Sequence, residues 1–390
     1  MARIKDKGNL LVGLDGKRAV CNNTGLGNYS RYAVNMLSLA YPSARFRLYS
    51  PVRGDNDRLS PLLARGNVEL ASPSLRFDNG FSRAVWRTFD LPVTLRGDDV
   101  AVYHGLSNEL PLTIRDVLPS VVTVHDLIWR RIPADYRAVD RKLYDWKYGR
   151  SARIATRVIA ISECTRRDLV NDFGIDPAKI DVIYQGVDPI FTLDIDTVQR
   201  QKIRAKYNLP EKYILSVGTI QLRKNQMMAV EALASLPPQV ELIFVGRLSG
   251  DYGKRLAERV GALGLSSRVR FLENVPFADL PALYSCAVFS SYTSRYEGFG
   301  LPVVESLCSG TPVIAASGSC LEEAGGNGAV YVDPDDVAAY VQAASRLLDD
   351  RVFNDRLAGA GKRHVKRFSA DTFAKSTMAV YNKAIIEFML

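Results

Sequence analysis

The sequence predicts an α/β protein of two Rossmann-like, doubly wound domains, each a parallel sheet with helices on both faces. Three observations predict it. Short apolar runs alternate with helix-period stretches along the chain, a pattern that buries strands between layers of helices. The series pauses near residues 190–210 and starts again; a chain of 390 residues exceeds one ordinary core and suits two domains of roughly 150 to 200 residues. Chemically distinctive residues gather just after the apolar runs, where an open parallel sheet holds its ligands.

In the first half, L-L-V-G-L (10–14), F-R-L-Y (46–49), V-A-V-Y (100–103), V-V-T-V (121–124), V-I-A-I (158–161) and V-I-Y (182–184) read as buried strands. After the first of these, Tyr29, Tyr32, Ala33, Met36, Leu37 and Ala40 recur at helical spacing behind Asn28, a good N-cap. The connection Thr24-Gly25-Leu26-Gly27 lacks the G-x-G-x-x-G spacing, so Gly25 and Gly27 mark either a tight turn or a place where backbone approaches a ligand. His104 follows one strand and His125 another. The chain has three histidines, and two of them stand where such a sheet places its ligand.

From Trp129 to Arg153 the chain carries eight Arg or Lys residues and five aromatics. Val139, Leu143 and Trp146 share one helical face, which suits a helix docked by that stripe with its basic face in water. The competing reading is a surface for an anionic acceptor or for phospholipid, with Arg141 and Tyr144 as contacts. Single-stranded nucleic acid also suits such interleaving, but no recognition module accompanies it.

A polar helical segment, 197–207, follows the pause. Y-I-L-S-V (213–217), E-L-I-F-V (241–245), V-R-F-L (269–272), A-V-F-S (287–290), P-V-I-A-A (312–316) and A-V-Y-V (329–332) then repeat the strand pattern. The domains are placed at 1–195 and 196–372. Ser369 can cap a last helix in which Phe373, Val380, Tyr381, Ala384, Ile385 and Phe388 fall on one face, and so apolar a stripe needs a surface to cover it.

Composition narrows the classes of function. The formal charge of +9 favours anionic partners such as nucleotide diphosphates, phospholipid headgroups or nucleic acid. Five scattered cysteines without a C-x-x-C pair indicate neither a disulfide framework nor a zinc site, and suit a reducing cytoplasm. Arg3, Lys5 and Lys7 precede an apolar run too short for a signal peptide, and no stretch approaches the roughly 18 apolar residues of a membrane span. Any membrane contact is expected to be peripheral. Of the Asp-x-Asp triplets at 55–57, 194–196 and 333–335, only the last follows an apolar strand, and Asp336 beside it suits a helix cap.

The most informative stretch is S-R-Y-E-G-F-G-L-P-V-V-E-S-L-C-S-G, residues 294–310. Gly298, Phe299, Gly300 and Leu301 lead into a helix with Pro302 in its first turn, and a helix start attracts a phosphate or diphosphate. Glu297 and Glu305 border that anion site. Two carboxylates repel a diphosphate, so they suit the neutral hydroxyls of an attached ribose and hexose. Earlier, Gly218 ends a strand and is followed by Arg223 and Lys224, fixed cations suited to a diphosphate leaving group.

The pair Glu297 and Glu305, with E-G-F-G-L-P between them and G-T-P-V-I-A downstream, resembles the E-x7-E signature of retaining glycosyltransferase family 4, the group 1 glycosyltransferases. The resemblance extends over nearly the whole chain and is strongest from 210 to 335. It implies the GT-B fold: two Rossmann-like domains facing a cleft, the last helix, 373–390, crossing back to the first domain. It implies transfer of a hexose, of mannose or glucose type, from a nucleoside diphosphate sugar to a hydroxyl of a glycan or lipid-linked acceptor, in surface polysaccharide synthesis. His125, Glu297, Lys224 and Arg223 are then the catalytic candidates. Gly25, Gly27, Gly218, Gly298, Phe299, Gly300, Leu301 and Glu305 are the donor contacts, and His104 joins Arg141 and Tyr144 on the acceptor side. Thr219 departs from the pattern, because many relatives carry an arginine there. No cofactor and no essential metal are expected. The alternatives are a nucleotide-sugar epimerase on the same fold and a non-catalytic carbohydrate- or lipid-binding protein.

Overall fold

The computed structural model describes residues 10–22, 24–52, 57–73 and 79–390. Arg3, Lys5, Lys7 and Asp55 with its neighbour Asn56 lie outside the described residues. The chain divides into two compact units: one runs to Leu127 and adds Arg137–Gly186 and Ala370–Leu390, the other holds Ile128–Tyr136 and Val187–Ser369.

Among the described residues, the first unit is built on a seven-stranded parallel sheet in the order β3-β2-β1-β4-β5-β6-β7. Its strands are β1 (Leu11–Asp15), β2 (Arg45–Tyr49), β3 (Val68–Ala71), β4 (Val102–Gly105), β5 (Ser120–Val124), β6 (Arg157–Ala160) and β7 (Ile180–Val182). All five residues of β1 and of β5 are buried, as continuous apolar runs covered on both faces require. The second unit has a six-stranded sheet, β10-β9-β8-β11-β12-β13. These are β8 (Lys212–Val217), β9 (Val240–Val245), β10 (Val269–Leu272), β11 (Phe289–Tyr292), β12 (Val313–Ala316) and β13 (Ala329–Val332). In each sheet the strand order reverses once, between β1 and β4 and between β8 and β11. Each reversal opens a crevice beyond the strand ends.

The predicted strands all form, displaced by two residues at most, and β3 is additional. It is a four-residue edge strand whose Glu69 bonds Arg45 and Arg47 of β2. Pairing through charged side chains leaves no apolar run to read.

The helix predicted behind Asn28 begins earlier. It spans Gly25–Ala40 with Thr24 at its N-cap, and Asn28 lies inside it, bonded to Arg31. The Asn22 side chain organises this start by accepting from the Thr24 amide at 2.8 Å and the Gly27 amide at 3.3 Å. A Cβ on Gly27 would stand 1.8 Å from the Asn22 carbonyl oxygen, so the close approach at Gly27 is to the chain itself, whereas Gly25 faces open space.

The terminal helix, Ala370–Met389, joins the first unit and packs on the helix Gly25–Ala40 and on β4, β5 and β6. Phe373, Val380, Tyr381 and Ala384 are buried, as the apolar stripe requires. Phe373 meets the rings of Tyr29 and Tyr32 edge-on. Among the described residues no helix is long and apolar enough to cross a membrane.

Candidate active site

In the second unit, the loops after β8 and β11 emerge side by side where the strand order reverses. The loop after β8 closes as a 3-10 turn, Leu222–Lys224, and Asn225 takes a left-handed conformation. It is stitched to the loop after β11: the Arg295 amide donates to the Arg223 carbonyl at 2.9 Å, and the Thr293 hydroxyl to the Asn225 carbonyl at 3.0 Å. Arg223 donates to the Tyr296 carbonyl at 2.6 Å.

This stitching gathers four polar side chains. Glu297 Oε1 lies 2.7 Å from Arg223 Nη1 and 2.9 Å from Lys224 Nζ, and accepts from the Tyr292 hydroxyl at 2.9 Å. Lys224 also donates to that hydroxyl at 2.5 Å. Glu297 and Tyr292 are buried, at 9% and 6% exposure. Burial alone would raise the Glu297 pKa, but Lys224 and Arg223 overcome it and hold the carboxyl down at about 2. The sequence separates the cations from Glu297, assigning them to diphosphate and sugar; the structure instead joins all three in one ion-pair cluster.

Beyond Glu297, Gly298 and Phe299 are buried, and the Phe299 ring packs edge-on against Phe368. Any ligand contact from Phe299 is therefore through its backbone. Gly300 has φ 106° and caps the helix Leu301–Cys308; a Cβ there would stand 2.6 Å from Leu321. Left-handed backbone and a crowded neighbour together require glycine. Pro302 has no N–H, and the amides of Val303 and Val304 donate to Gly300 at 3.0 and 3.4 Å. The first turn thus offers an anion the Leu301 amide, a narrower donor set than a helix start in general. Gly218 ends β8 with its amide on the Val245 carbonyl, its open side toward Lys224. Thr219 is exposed.

Glu305 sits one turn into the helix. Its Oε2 accepts from the Tyr284 hydroxyl at 3.3 Å. Burial, assisted by Asp188, raises its pKa to about 7 against the opposing effects of Tyr284 and Lys224. The two acids differ because one has two cations on its oxygen and the other a single phenol. The sequence pattern does not point to Tyr292, Tyr284 or Asp188; the one signal it carries for them is a tyrosine ending a buried strand, at Tyr292.

In the first unit, His125 is buried behind β5. Its Nε2 donates to the Leu106 carbonyl at 2.8 Å, its amide donates to Asn108, and the Tyr29 ring stands edge-on at 4.5 Å. Burial lowers its pKa to about 4, so the ring is neutral. His104, an acceptor candidate from the sequence, lies in the core. It is fully buried, with Nδ1 on the Tyr381 hydroxyl and Nε2 on Thr123, each at 2.7 Å. Both ring nitrogens are engaged within the core.

The basic aromatic region forms the helix Ala138–Ile154. The docked-stripe reading is overturned: Val139 is 70%, Leu143 43% and Trp146 53% exposed, and the buried residues are Tyr148, Gly149, Ser151 and Ala152. The small residues at 149, 151 and 152 allow the close approach that the larger stripe does not. Tyr144 stacks on Tyr148.

Comparison with known proteins gives this geometry its relatives. The family model described as glycosyl transferases group 1 matches residues 199–364, and that of glycosyltransferase family 4 matches 35–191. A D-inositol 3-phosphate glycosyltransferase of Salinispora tropica is 33% identical over 250 residues, 60% of this chain and 52% of that protein. The chain thus spans about half the length of that relative. An O-antigen chain mannosyltransferase B of Escherichia coli is 29% identical over 384 residues, covering 92% of this chain and 96% of that protein. Among solved structures, Anabaena HepE in complex with UDP and glucose superposes with a TM-score of 0.74 at 21% identity, covering 95% of this chain and 98% of that one. That likeness supports the GT-B fold. With one family model on each half of the sequence, and the carboxylates, glycines and cations of its signature gathered after β8 and β11, the chain belongs to the group 1 glycosyltransferases.

Proposed function

We propose that the protein transfers a hexose from a nucleoside diphosphate sugar to a hydroxyl of a glycan or glycolipid acceptor, with retention at the anomeric carbon. The reading rests on the convergence of Arg223, Lys224 and Glu297 ahead of the Leu301–Cys308 helix. A diphosphate arriving there shares the two cations with Glu297, whose oxygens then turn to hydroxyls of the sugar. Lys224, Arg223 and the Leu301 amide stabilise the diphosphate as the anomeric C–O bond breaks. Glu305 accepts from the ribose, and Glu297 orients the sugar. The departing phosphate oxygen takes the acceptor's proton as the new C–O bond forms on the same face. With fixed cations on the diphosphate, a divalent ion is redundant, so activity should persist in a chelator. Relatives named as mannosyltransferase and crystallised with UDP and glucose support a mannose- or glucose-type donor. A relative named as an O-antigen chain mannosyltransferase supports a place in surface polysaccharide synthesis.

The test is to heat the purified chain with a panel of nucleotide sugars, find which one raises Tm, and analyse the product made from it with and without acceptor. A glycoside with retained anomeric configuration is expected. If no nucleotide sugar protects, or if the donor alone is converted to its epimer, the proposal fails; a trapped covalent glycosyl-enzyme would refute the same-face step.

A further inference from the structure

The first unit holds a cavity of about 390 Å³ lined by Lys17, Arg83, Arg87, Glu109, Trp146 and Lys147, among others. Lys17 follows β1 and Glu109 follows β4, so the cavity opens at the reversal of strand order, where an α/β sheet places a ligand. Its charges do not balance. Arg87 bonds both Glu109 and the buried Asp15 at 2.8 Å, and Lys147 stands 3.9 Å from Glu109. Those carboxylates are thereby engaged, while Lys17 and Arg83 have no ion-pair partner among the described residues. The Arg83 Nε is shielded from solvent and, among the described residues, without a hydrogen-bond partner. Desolvation, and after it the neighbouring Arg87, lower the Lys17 pKa by more than Glu109 and Asp15 raise it.

The rim is apolar. Trp146 lines the cavity and continues into the exposed stripe of Leu143 and Val139. Phe81 adjoins the lining residue Gly80 and is 82% exposed. Arg141 and Tyr144, the predicted acceptor contacts, are not among the lining residues. A cation-rich cavity continuous with exposed aromatic and aliphatic side chains suits a molecule that is anionic at one end and hydrocarbon at the other.

We infer that this cavity takes the phosphate of an amphiphilic, lipid-linked acceptor, with Arg83 and Lys17 on the phosphate and the hydrocarbon along Trp146, Leu143 and Phe81. The inference rests on the proposed transfer reaction for its biological meaning, but its test is a binding measurement independent of turnover. Arg83→Ala keeps the bond from the Arg83 amide to the Asn79 carbonyl and removes a side chain whose Nε has no partner among the described residues, so it should fold normally.

The experiment titrates farnesyl phosphate into the purified chain with UDP present in saturating amount to occupy the candidate donor site. Tight binding to the wild type is expected, weakened about tenfold or more by Arg83→Ala, the loss of a charge-assisted hydrogen bond. Leu143→Ser should weaken farnesyl phosphate while leaving inorganic phosphate unchanged. Equal affinity of wild type and Arg83→Ala would overturn the inference. So would farnesol binding as well as its phosphate, or inorganic phosphate binding as well as the prenyl ester. Vesicles of phosphatidylglycerol and phosphatidylcholine separate bulk membrane headgroups from the acceptor: if Arg83→Ala loses vesicle binding but keeps farnesyl phosphate, the cavity serves the membrane and the inference is wrong. Protection by UDP, measured in both proteins, reports separately on the donor site.

Discussion

Glu297→Gln is the sharpest perturbation of the site, because the amide keeps the shape and removes the charge. In the wild type one oxygen receives Arg223 at 2.7 Å, Lys224 at 2.9 Å and the Tyr292 hydroxyl at 2.9 Å. The gap between the ordinary pKa of 4.5 and about 2 corresponds to roughly 3 kcal/mol in favour of the ionised carboxyl. A depressed carboxyl pKa stabilises the fold above pH 4.5, and that stabilisation is lost as pH falls toward 2. The variant should therefore be less stable at pH 7 by about 3 kcal/mol, and the difference should shrink on acidification because the wild type declines and the variant does not. Adding UDP returns a negative charge to the two stranded cations, so it should stabilise the variant more than the wild type. Urea titrations at pH 7 and pH 3.5, with and without UDP, measure both effects. A stability difference that ignores pH, or equal stabilisation by UDP, would refute the cluster as the diphosphate site.

Lys224→Ala leaves Arg223 on Glu297 and should fold, but it loses a cation on the leaving group; donor consumption assays should show kcat/KM lower by about 100- to 1000-fold. Glu305 ionises as pH rises through about 7, so UDP affinity should increase about tenfold between pH 6 and 8 as the ribose acceptor forms, and Glu305→Gln should show a flat profile by calorimetry. Tyr381→Phe removes the 2.7 Å bond to buried His104; a cost of about 1–3 kcal/mol is expected in thermal unfolding of the first unit, with the protection conferred by UDP unchanged.

Much of this molecule is legible before folding is considered. Continuous apolar runs such as Leu11–Leu14 and Val121–Val124 identify buried parallel strands because both faces are covered, and the glycines around Phe299 announce a backbone that side chains would obstruct. What escapes is whatever depends on partners distant in sequence. His104 reads as a strand-end ligand, yet a hydroxyl 277 positions later claims its ring. The Val139, Leu143 and Trp146 stripe has the period of a packed face, but periodicity does not say which face a helix turns inward, and Gly149, Ser151 and Ala152 approach more closely. Arg223, Lys224 and Glu297 are each legible alone, while their union through Tyr292 requires β8 and β11 to be neighbours.

Because Ala370–Met389 completes the first unit, the order of synthesis and the order of maturation differ. A ribosome that has read as far as residue 369 carries a nascent amino-terminal unit with Tyr29, Tyr32 and His104 still lacking their cover, while the carboxyl-terminal unit already has all its parts. The unit made first is finished last, and a nonsense mutation near codon 370 would injure the opposite end of the polypeptide.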